Sequence, residues 1–248
     1  MRDHSEYEIV VGLEVHAQLS TSSKLFCGDS THYGSLPNTQ VSAISLAHPG
    51  ALPKMNQQAL QYAIALGLAC HCEISSETFF ARKNYFYPDL PKGYQVSQHT
   101  NPICLDGFLD IMVNGEERRI RLNRIHLKED AGKSIHEADP EYTCIDLNRA
   151  GTPLVEIVTE PDIRSSEEAF AFLTSIRRHL RYLGICDGNM EEGSLRCDAN
   201  ISVRKKGDDR LGTRTEIKNL NSIRHLKKAI EMEAERQIQL LMKGEKII

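Results

Sequence analysis

A strictly alternating stretch in the last quarter of the chain constrains its fold more than any other feature. In residues 194–204, SLRCDANISVR, the apolar residues occupy every second position. The residues between them are polar, and they include Arg196, Asp198 and Asn200. Because the side chains of a strand alternate between two faces, this pattern predicts a strand with one buried face and one polar face. An arginine among short acids and amides favours a rigid site over a plain solvent-exposed face.

A second alternating strand is predicted at residues 8–19, EIVVGLEVHAQL. Its apolar positions fall on one face, and Glu14 and His16 fall side by side on the other. Residues two apart on one face are about 6.5–7 Å from each other, so both side chains can reach one cation or one phosphate. A half-exposed first strand whose polar residues share no role explains the same pattern.

The spacing of apolar residues predicts three helices, at residues 55–70, 165–183 and 222–243. Acids in the first turn and Gly184 behind the last turn mark the ends of the second helix. Residues 20–54 are rich in Ser, Thr, Asn, Gly and Pro and are expected to be loop. Five residues of the second helix are expected to face the core: Phe170, Leu173, Ile176, Leu180 and Leu183.

Hairpins are predicted at two places in the chain. Residues 107–113 and 117–127 flank Asn114-Gly115, which is typical of a type I′ turn. Residues 213–221 are expected to pair with the strand at 194–204, so that the polar faces of the two strands meet. A further strand places Glu156 between apolar neighbours, where a carboxylate needs a cation, a base or a proton. An edge position open to water is the alternative for Glu156.

Composition excludes several classes of protein. The net charge of −4 gives no overall attraction to nucleic acid, so any such contact must be local or supplied by a partner. No run of about 18 apolar residues is present, so we expect no membrane span. The first twelve residues lack the apolar core of a signal peptide. Seven scattered cysteines predict reduced thiols and a cytoplasmic location.

Acidic and imidazole groups occur on several predicted strands or strand ends. If the fold brings them together, they repel one another unless a divalent cation lies among them. Basic residues placed opposite could hold phosphates, and the combination is typical of phosphoryl transfer. Mg²⁺ fits the oxygen-rich set, and an imidazole also admits Mn²⁺. The acidic and imidazole set is Glu14, His16, Glu129, Glu156, Asp198 and Glu216, and the basic set is Arg149, Arg196, Lys83 and Lys218.

The stretch at residues 82–99 mixes bases with aromatic residues. Lys83, Tyr85 and Tyr87 lie within five positions, and prolines interrupt the segment. Aromatic rings stack on bases and lysines meet phosphates, so a contact with RNA is one reading. A tyrosine-rich loop packed on the domain is the other.

Six motifs, in this order, resemble the B subunit of aspartyl/glutamyl-tRNA amidotransferases. They are GLEVHAQL, KNYFYPDLPKGYQ, KEDAGKS, LNRAGTPLVEIVTEPD, MEEGSLRCDANIS and EIKNLNS, and they cover nearly the whole chain from Glu8 to Leu241. The resemblance implies an α+β fold, a cradle similar to glutamine synthetase and guanido kinases on a mainly antiparallel sheet with packed helices. It also implies ATP-dependent activation of the side-chain carboxylate of glutamate or aspartate misacylated on tRNA. Ammonia would then come from an amidase A subunit, with a small C subunit completing the complex.

The same resemblance implies roles for individual residues. Glu14, His16, Glu129 and Glu156 are expected to bind the metal, with ATP and Mg²⁺ as cofactors. Asp198 and Glu216 are expected to be further acids of the catalytic site. The residues expected to contact phosphate are Arg196, Lys218 and Arg149, and the loop near the acceptor end of the tRNA is expected to contain Lys83, Tyr85 and Tyr87.

The chain departs from the family pattern in two respects. Many members bind structural zinc through a C-x-C and a C-x-x-C, but here only Cys27 remains, and the other positions hold Asp29, Ala43 and Leu46. We therefore expect no zinc. The family also continues into a helical domain and a tail domain, so we expect residues 1–220 to form the catalytic cradle and residues 221–248 to begin a helical segment.

Two other functions fit parts of the pattern. A scaffold that only holds an amidase and a tRNA together would need no convergent acids. A metal-dependent hydrolase would use the acids but would turn over phosphoesters by itself. Activation of a carboxylate on tRNA, the function that the resemblance implies, requires that the acids and bases meet around one nucleotide pocket. The tertiary structure must show whether they do.

Overall fold

The computed structural model describes residues 6–248. Residues 1–5, which belong to the predicted unit 1–220 and to the stretch that argued against a signal peptide, lie outside the described residues. The described part contains the strands β1 (Tyr7–Gln18), β2 (Glu73–Ile74), β3 (Ala81–Asn84), β4 (Tyr94–Ser97), β5 (Cys104–Leu105), β6 (Phe108–Val113), β7 (Glu116–Glu129), β8 (Lys133–Ile135), β9 (Cys144–Asp146), β10 (Pro153–Thr159), β11 (Leu195–Lys205) and β12 (Thr215–Leu220). It also contains the helices α1 (Gln57–Ala69), α2 (Ser166–Tyr182) and α3 (Ile223–Met242).

One large sheet organises the domain. Its main path runs β12-β11-β1-β10-β7-β4-β3, and β5 and β6 also pair with β7 while β2 pairs with β5. Every neighbouring pair is antiparallel, and β8 and β9 form a separate antiparallel ribbon. The predicted α+β class with a mainly antiparallel sheet is therefore confirmed. The closer likeness to the glutamine synthetase cradle stays a prediction.

The two alternating strands behave as their patterns predicted. In β1 and β11 the apolar positions are buried and the polar positions between them are partly accessible, except that Ile9 is half-buried and Ser202 is buried. The apolar side contributes Val11, Leu13 and Val15 from β1 to a core that is completed by α2, α3 and α1. The opposite side of the same strands is therefore the polar surface on which a site can form.

Helix α2 begins where its cap predicts and turns a slightly different face inward. The Ser165 hydroxyl accepts a hydrogen bond from the amide of Glu168 at 3.1 Å, an N-cap that satisfies a free backbone donor. The prediction that Phe170 faces the core is wrong, because this ring is 39% exposed. Phe172 lies in the core instead, since it shares the helix face of Leu173 and Ile176.

Helix α3 packs on the same sheet. Leu226 and Ile230 are fully buried in the main hydrophobic core, next to residues of α2 and β11. The domain boundary at residue 220 stays a prediction. None of the helices between residues 6 and 248 is both long enough and apolar enough to cross a membrane.

The predicted hairpin at Asn114-Gly115 is confirmed. Asn114 has φ 53° and Gly115 has φ 84°, and a type I′ turn requires positive φ at both central residues. Strand β6 pairs with β7 on either side of this turn, from Val113 opposite Glu116 onward. The turn therefore fixes the register of β7, which carries two residues of the candidate site described below.

Candidate functional site

The register of the central strands places a row of polar side chains on the face opposite the helices. Glu14 of β1 lies opposite Asp198 of β11, and His16 lies between Arg196 of β11 and Glu156 of β10. Directly opposed residues in an antiparallel pair have Cβ atoms about 4.5–5.5 Å apart, so their side chains can meet. The row continues outward to Glu216 of β12, opposite Asn200, and to His126 of β7, opposite Glu156.

Three of these residues form a group that can hold a metal ion. One ligand atom each from Glu14, His16 and Glu156 lies within 4.8 Å of the others. The imidazole of His16 lies 3.7 Å from a carboxylate oxygen of Glu156 and 3.7 Å from one of Asp198. Its Nε2 atom is buried and has no hydrogen-bond partner among the described residues. A buried nitrogen acceptor beside two carboxylates fits a divalent cation, with Mg²⁺ favoured by the oxygens and Mn²⁺ admitted by the imidazole.

Burial and crowding of acids shift the protonation of this group. Burial raises the pKa of Glu14, and the nearby carboxylates of Glu156, Glu216 and Asp198 raise it further, while a hydrogen bond from Asn200 opposes them. Burial lowers the pKa of His16, so its imidazole is neutral and able to act as a ligand. Repelling carboxylates and a neutral imidazole are the electrostatic conditions under which a cation binds favourably.

Three residues to which sequence reasoning gave no role shape this site, and of these only Asn200 was named on a polar strand face. The amide of Asn200 donates to Glu14 at 2.9 Å. The ammonium group of Lys128 donates to Glu156 at 2.7 Å, and His126 approaches the same oxygen at 3.6 Å. Although burial raises the pKa of Glu156, Lys128 and the two imidazoles hold it at about 2. His126 and Lys128 lie two residues apart on β7 and therefore share a face. Once β7 is known to pair with β10, this alternation indicates that both lie beside Glu156.

The structure does not place Glu129 in this group, and its predicted role as a ligand of the same metal stays a prediction. Glu129 follows Lys128 by one residue, and strand alternation turns it to the other side of β7. Its buried carboxylate is bound by the ammonium group of Lys92 and accepts a hydrogen bond from the amide of Val96 at 3.0 Å. The other three predicted ligands remain together.

A cleft of about 1020 Å³ lies beside the cation group and is lined by Gln18, Arg149 and Arg196. Glu14, His16 and Glu156 do not line it, and the two features meet at Arg196, the cross-strand neighbour of His16. Arg149 donates two of its nitrogens to backbone carbonyls of residues 131 and 132, at 3.0 and 2.6 Å. Arg196 is therefore the predicted phosphate contact that lies nearest to both features.

Three further members of the predicted acidic and basic sets, Asp198, Glu216 and Lys218, lie on β11 and β12. Asp198 accepts a hydrogen bond from the amide of Asn219 at 2.8 Å, which ties β12 to the polar face. Lys218 is largely exposed and pairs with Glu216 at 3.3 Å. That pair flanks the acidic row, and Asn219 also lines the cleft.

The predicted acceptor loop connects β3 to β4. Lys83 and Tyr87 are exposed, and the Lys83 ammonium lies 5.8 Å from the centroid of the Tyr85 ring. Phe86, between the two tyrosines, is 92% exposed. The aromatic and basic side chains are therefore accessible, as a contact with RNA would require.

The loop that contains Cys27 and Asp29 encloses a buried lysine. Lys24 is fully buried, and its ammonium group donates to the carbonyl of Gln40 at 2.8 Å and lies 4.0 Å from Asp29. Asp29 also accepts a hydrogen bond from the amide of Ser42 at 2.8 Å. The Cys27 thiol lies 3.5 Å from the hydroxyl of Ser45. The loop is thus held by a buried ion pair, and the absence of zinc stays a prediction.

Known proteins of one kind match this chain over almost its whole length. The family model described as the GatB/GatE catalytic domain matches residues 9–247. The B subunit of the aspartyl/glutamyl-tRNA(Asn/Gln) amidotransferase from Thermodesulfovibrio yellowstonii is 59% identical over 244 residues, which are 98% of this chain and 51% of that protein. The protein of the same name from Geotalea uraniireducens is 56% identical over 246 residues, with 98% and 51% covered.

The chain spans about half the length of the curated relatives it matches. The match nevertheless includes all the residues of the polar row, because it extends from the third residue of β1 to beyond the end of α3. The family model and the identities to the two relatives agree on one assignment. The chain belongs to the GatB/GatE catalytic-domain family.

Proposed function

We propose that this chain is the domain that activates the side-chain carboxylate of glutamate or aspartate carried by a misacylated tRNA. ATP would donate its γ-phosphoryl group to that carboxylate, with ADP as the leaving group. Ammonia would then form the carbon–nitrogen bond with loss of a proton, and inorganic phosphate would leave. The observation that supports this best is the group of Glu14, His16 and Glu156 beside a cleft that Arg149 and Arg196 line.

Each part of the site has a task in this proposal. Glu14, His16 and Glu156 would hold a divalent cation, which would supply positive charge against the phosphates of the nucleotide. Asp198 and Glu216 extend the acidic row beside this group. Arg196 and Lys218 would bind oxyanions of the substrates. Arg149 lines the cleft, and its hydrogen bonds to backbone carbonyls hold its side chain in place. Glu129 is paired with Lys92 and lies apart from this group.

The proposal extends to partners that the family resemblance implies. The acceptor end of the tRNA would approach along the segment that carries Lys83, Tyr85 and Tyr87, in which Lys83 and Tyr87 are exposed and Tyr85 is half-buried. An amidase A subunit would supply ammonia, and a small C subunit would hold the pair together. Ionised carboxylate is a poor acceptor for ammonia, so activation must precede delivery of the nitrogen.

A cation titration of the isolated chain tests the site without any requirement for activity. We expect calorimetry with MnCl₂ to show saturable binding that Glu156→Gln weakens about tenfold or more, because a charged ligand is lost. Glu160→Gln is the matched control, since Glu160 lies just beyond the same strand and accepts a hydrogen bond from Asn123 at 2.8 Å instead. Equal affinities for the two variants would reject the cation site.

Amidation by the assembled enzyme distinguishes the proposal from a scaffold role. We expect Glu156→Gln to abolish ATP-dependent amidation while release of ammonia from glutamine persists in the amidase partner. A scaffold subunit would keep amidation in this variant. A hydrolase would instead turn over phosphoesters when the chain is assayed alone, and that result would replace the proposal.

A further inference from the structure

A buried aspartate that the proposed mechanism does not use lies behind the wall of the cleft. The side chain of Asp130 is only 6% exposed. One of its carboxylate oxygens accepts a hydrogen bond from Arg196 at 2.9 Å and one from Gln18 at 2.8 Å, and Arg149 approaches the same oxygen at 3.6 Å. Its other oxygen accepts a hydrogen bond from the amide of Ala131 at 3.0 Å. Although burial raises its pKa, the two arginines and Gln18 lower it below the usual range, so Asp130 is ionised.

Arg196 has N–H donors that do not bind Asp130. Arg196 uses Nη2 for Asp130, and among residues 6–248 it makes no further hydrogen bond through its other two nitrogens. A guanidinium carries five N–H donors in a fixed planar arrangement. A carboxylate that binds one side of it therefore leaves donors available on the other side. Arg196 lines the cleft and is 20% exposed, so those donors can reach a ligand there.

We propose that Asp130 is a positioning residue, which together with Gln18 fixes Arg196 as a binding site for one oxyanion of a substrate in the cleft. The inference rests on the proposed function and adds to it the residue that orients the guanidinium. The ligand is a carboxylate or a phosphoryl group, because both present the paired oxygens that a guanidinium fork binds. Arg196 lies directly opposite His16 on the neighbouring strand, next to the cation group.

The chain offers a matched control for this arrangement at the other end of the same strands. Glu8 also binds two arginines, Arg204 at 2.7 Å and Arg164 at 3.6 Å. Glu8 lies eight residues before His16 on β1, about 26 Å away at the usual rise of a strand. Glu8→Gln therefore removes a comparable carboxylate without touching the cleft.

The first experiment uses the isolated chain and needs neither ATP nor tRNA. Phenylglyoxal modifies accessible guanidinium groups, and peptide mass spectrometry gives the rate at Arg196 separately. We expect inorganic phosphate or glutarate to slow this modification saturably in the unaltered protein and in Glu8→Gln, and to lose that effect in Asp130→Asn. Protection that survives in Asp130→Asn, or that is absent from the unaltered protein, overturns the proposal.

The second experiment separates the two sources of the oxyanion in the assembled enzyme. We expect Asp130→Asn to raise one KM by about 10- to 100-fold, the effect of one misplaced charged hydrogen-bond group, with a smaller change in kcat. A rise confined to the misacylated tRNA assigns the site to the carboxylate, and a rise confined to ATP assigns it to phosphate. Values equal to those of Glu8→Gln overturn the proposal.

A second variant, Arg196→Lys, tests the proposal even if Asp130→Asn fails to fold. Arg196→Lys keeps the charge in the cleft and loses the fork, so the same KM must rise in this variant. An unchanged KM in Arg196→Lys overturns the proposal by itself. If the unaltered enzyme shows no amidation but Arg196 is still protected by the probes, the proposed function fails while the oxyanion site stands.

Discussion

Replacement of Lys128 by methionine tests whether the buried acid of the site depends on a single cation. Lys128 donates to Glu156 at 2.7 Å, and the two side chains are 16% and 8% exposed. Methionine keeps much of the apolar stem and removes the charge. In cation-free buffer the variant leaves Glu156 buried beside two imidazoles whose pKa values are lowered by burial.

The size of the effect follows from the protonation of Glu156. Its pKa falls from the ordinary 4.5 to about 2, with Lys128 as the largest of the groups that lower it. A shift of that size corresponds to about 3 kcal/mol of folding free energy at neutral pH, and the loss of one partner of a buried pair typically costs about 3–5 kcal/mol. We therefore expect Lys128→Met to lower the free energy of unfolding by about 3 kcal/mol.

Urea unfolding followed by circular dichroism, with EDTA present at pH 7, measures this loss. Most of the cost should come from the unpaired carboxylate, so the double variant Lys128→Met with Glu156→Gln should recover much of it. A lowered folded-state pKa gives stability that is present above pH 4.5 and is lost as the pH falls toward 2. The difference between Lys128→Met and the unaltered protein should therefore narrow over that range. A loss below 0.5 kcal/mol, additive with Glu156→Gln, would refute this account.

Three further perturbations test other parts of the structure. Burial lowers the pKa of His126 from 6.5 to about 4, so the free energy of unfolding should fall as the pH is lowered from 6.5 to 4. In urea titrations His126→Gln should reduce that pH dependence by up to about 1.4 kcal/mol per pH unit. Gly67→Ala should destabilise the protein by about 1–3 kcal/mol in thermal melts, although alanine has the better helix propensity. The added Cβ would collide with the sulfur of Cys104. Gly28→Ala is the control, because a Cβ at that position has no atom within 4 Å. Iodoacetamide should label exposed Cys144 well before Cys104, whose thiol has its pKa raised to about 12 by burial, and mass spectrometry of the native protein would reveal any reversal.

Local pattern was sufficient for most of the elements. The alternation of β1 and β11, the turn residues of the β6–β7 hairpin and the cap of α2 each depend on neighbours in sequence, and each prediction agrees with the structure. The error at Phe170 has a local cause, since a stripe of apolar residues defines a helix face only to within about one position. The placement of Glu14 beside His16 could be predicted for the same reason, because both lie on one strand.

The sequence by itself determined which residues alternate, and so which acids belong to polar strand faces. Only the tertiary structure decided which strands are neighbours and in what register, because pairing depends on the whole sheet and a shift of one residue reverses every side chain. That register brought Glu156 to His16 and added Lys128, while it turned Glu129 toward Lys92. It also placed Asp130 behind Arg196, a contact between residues 66 positions apart that no local pattern contains.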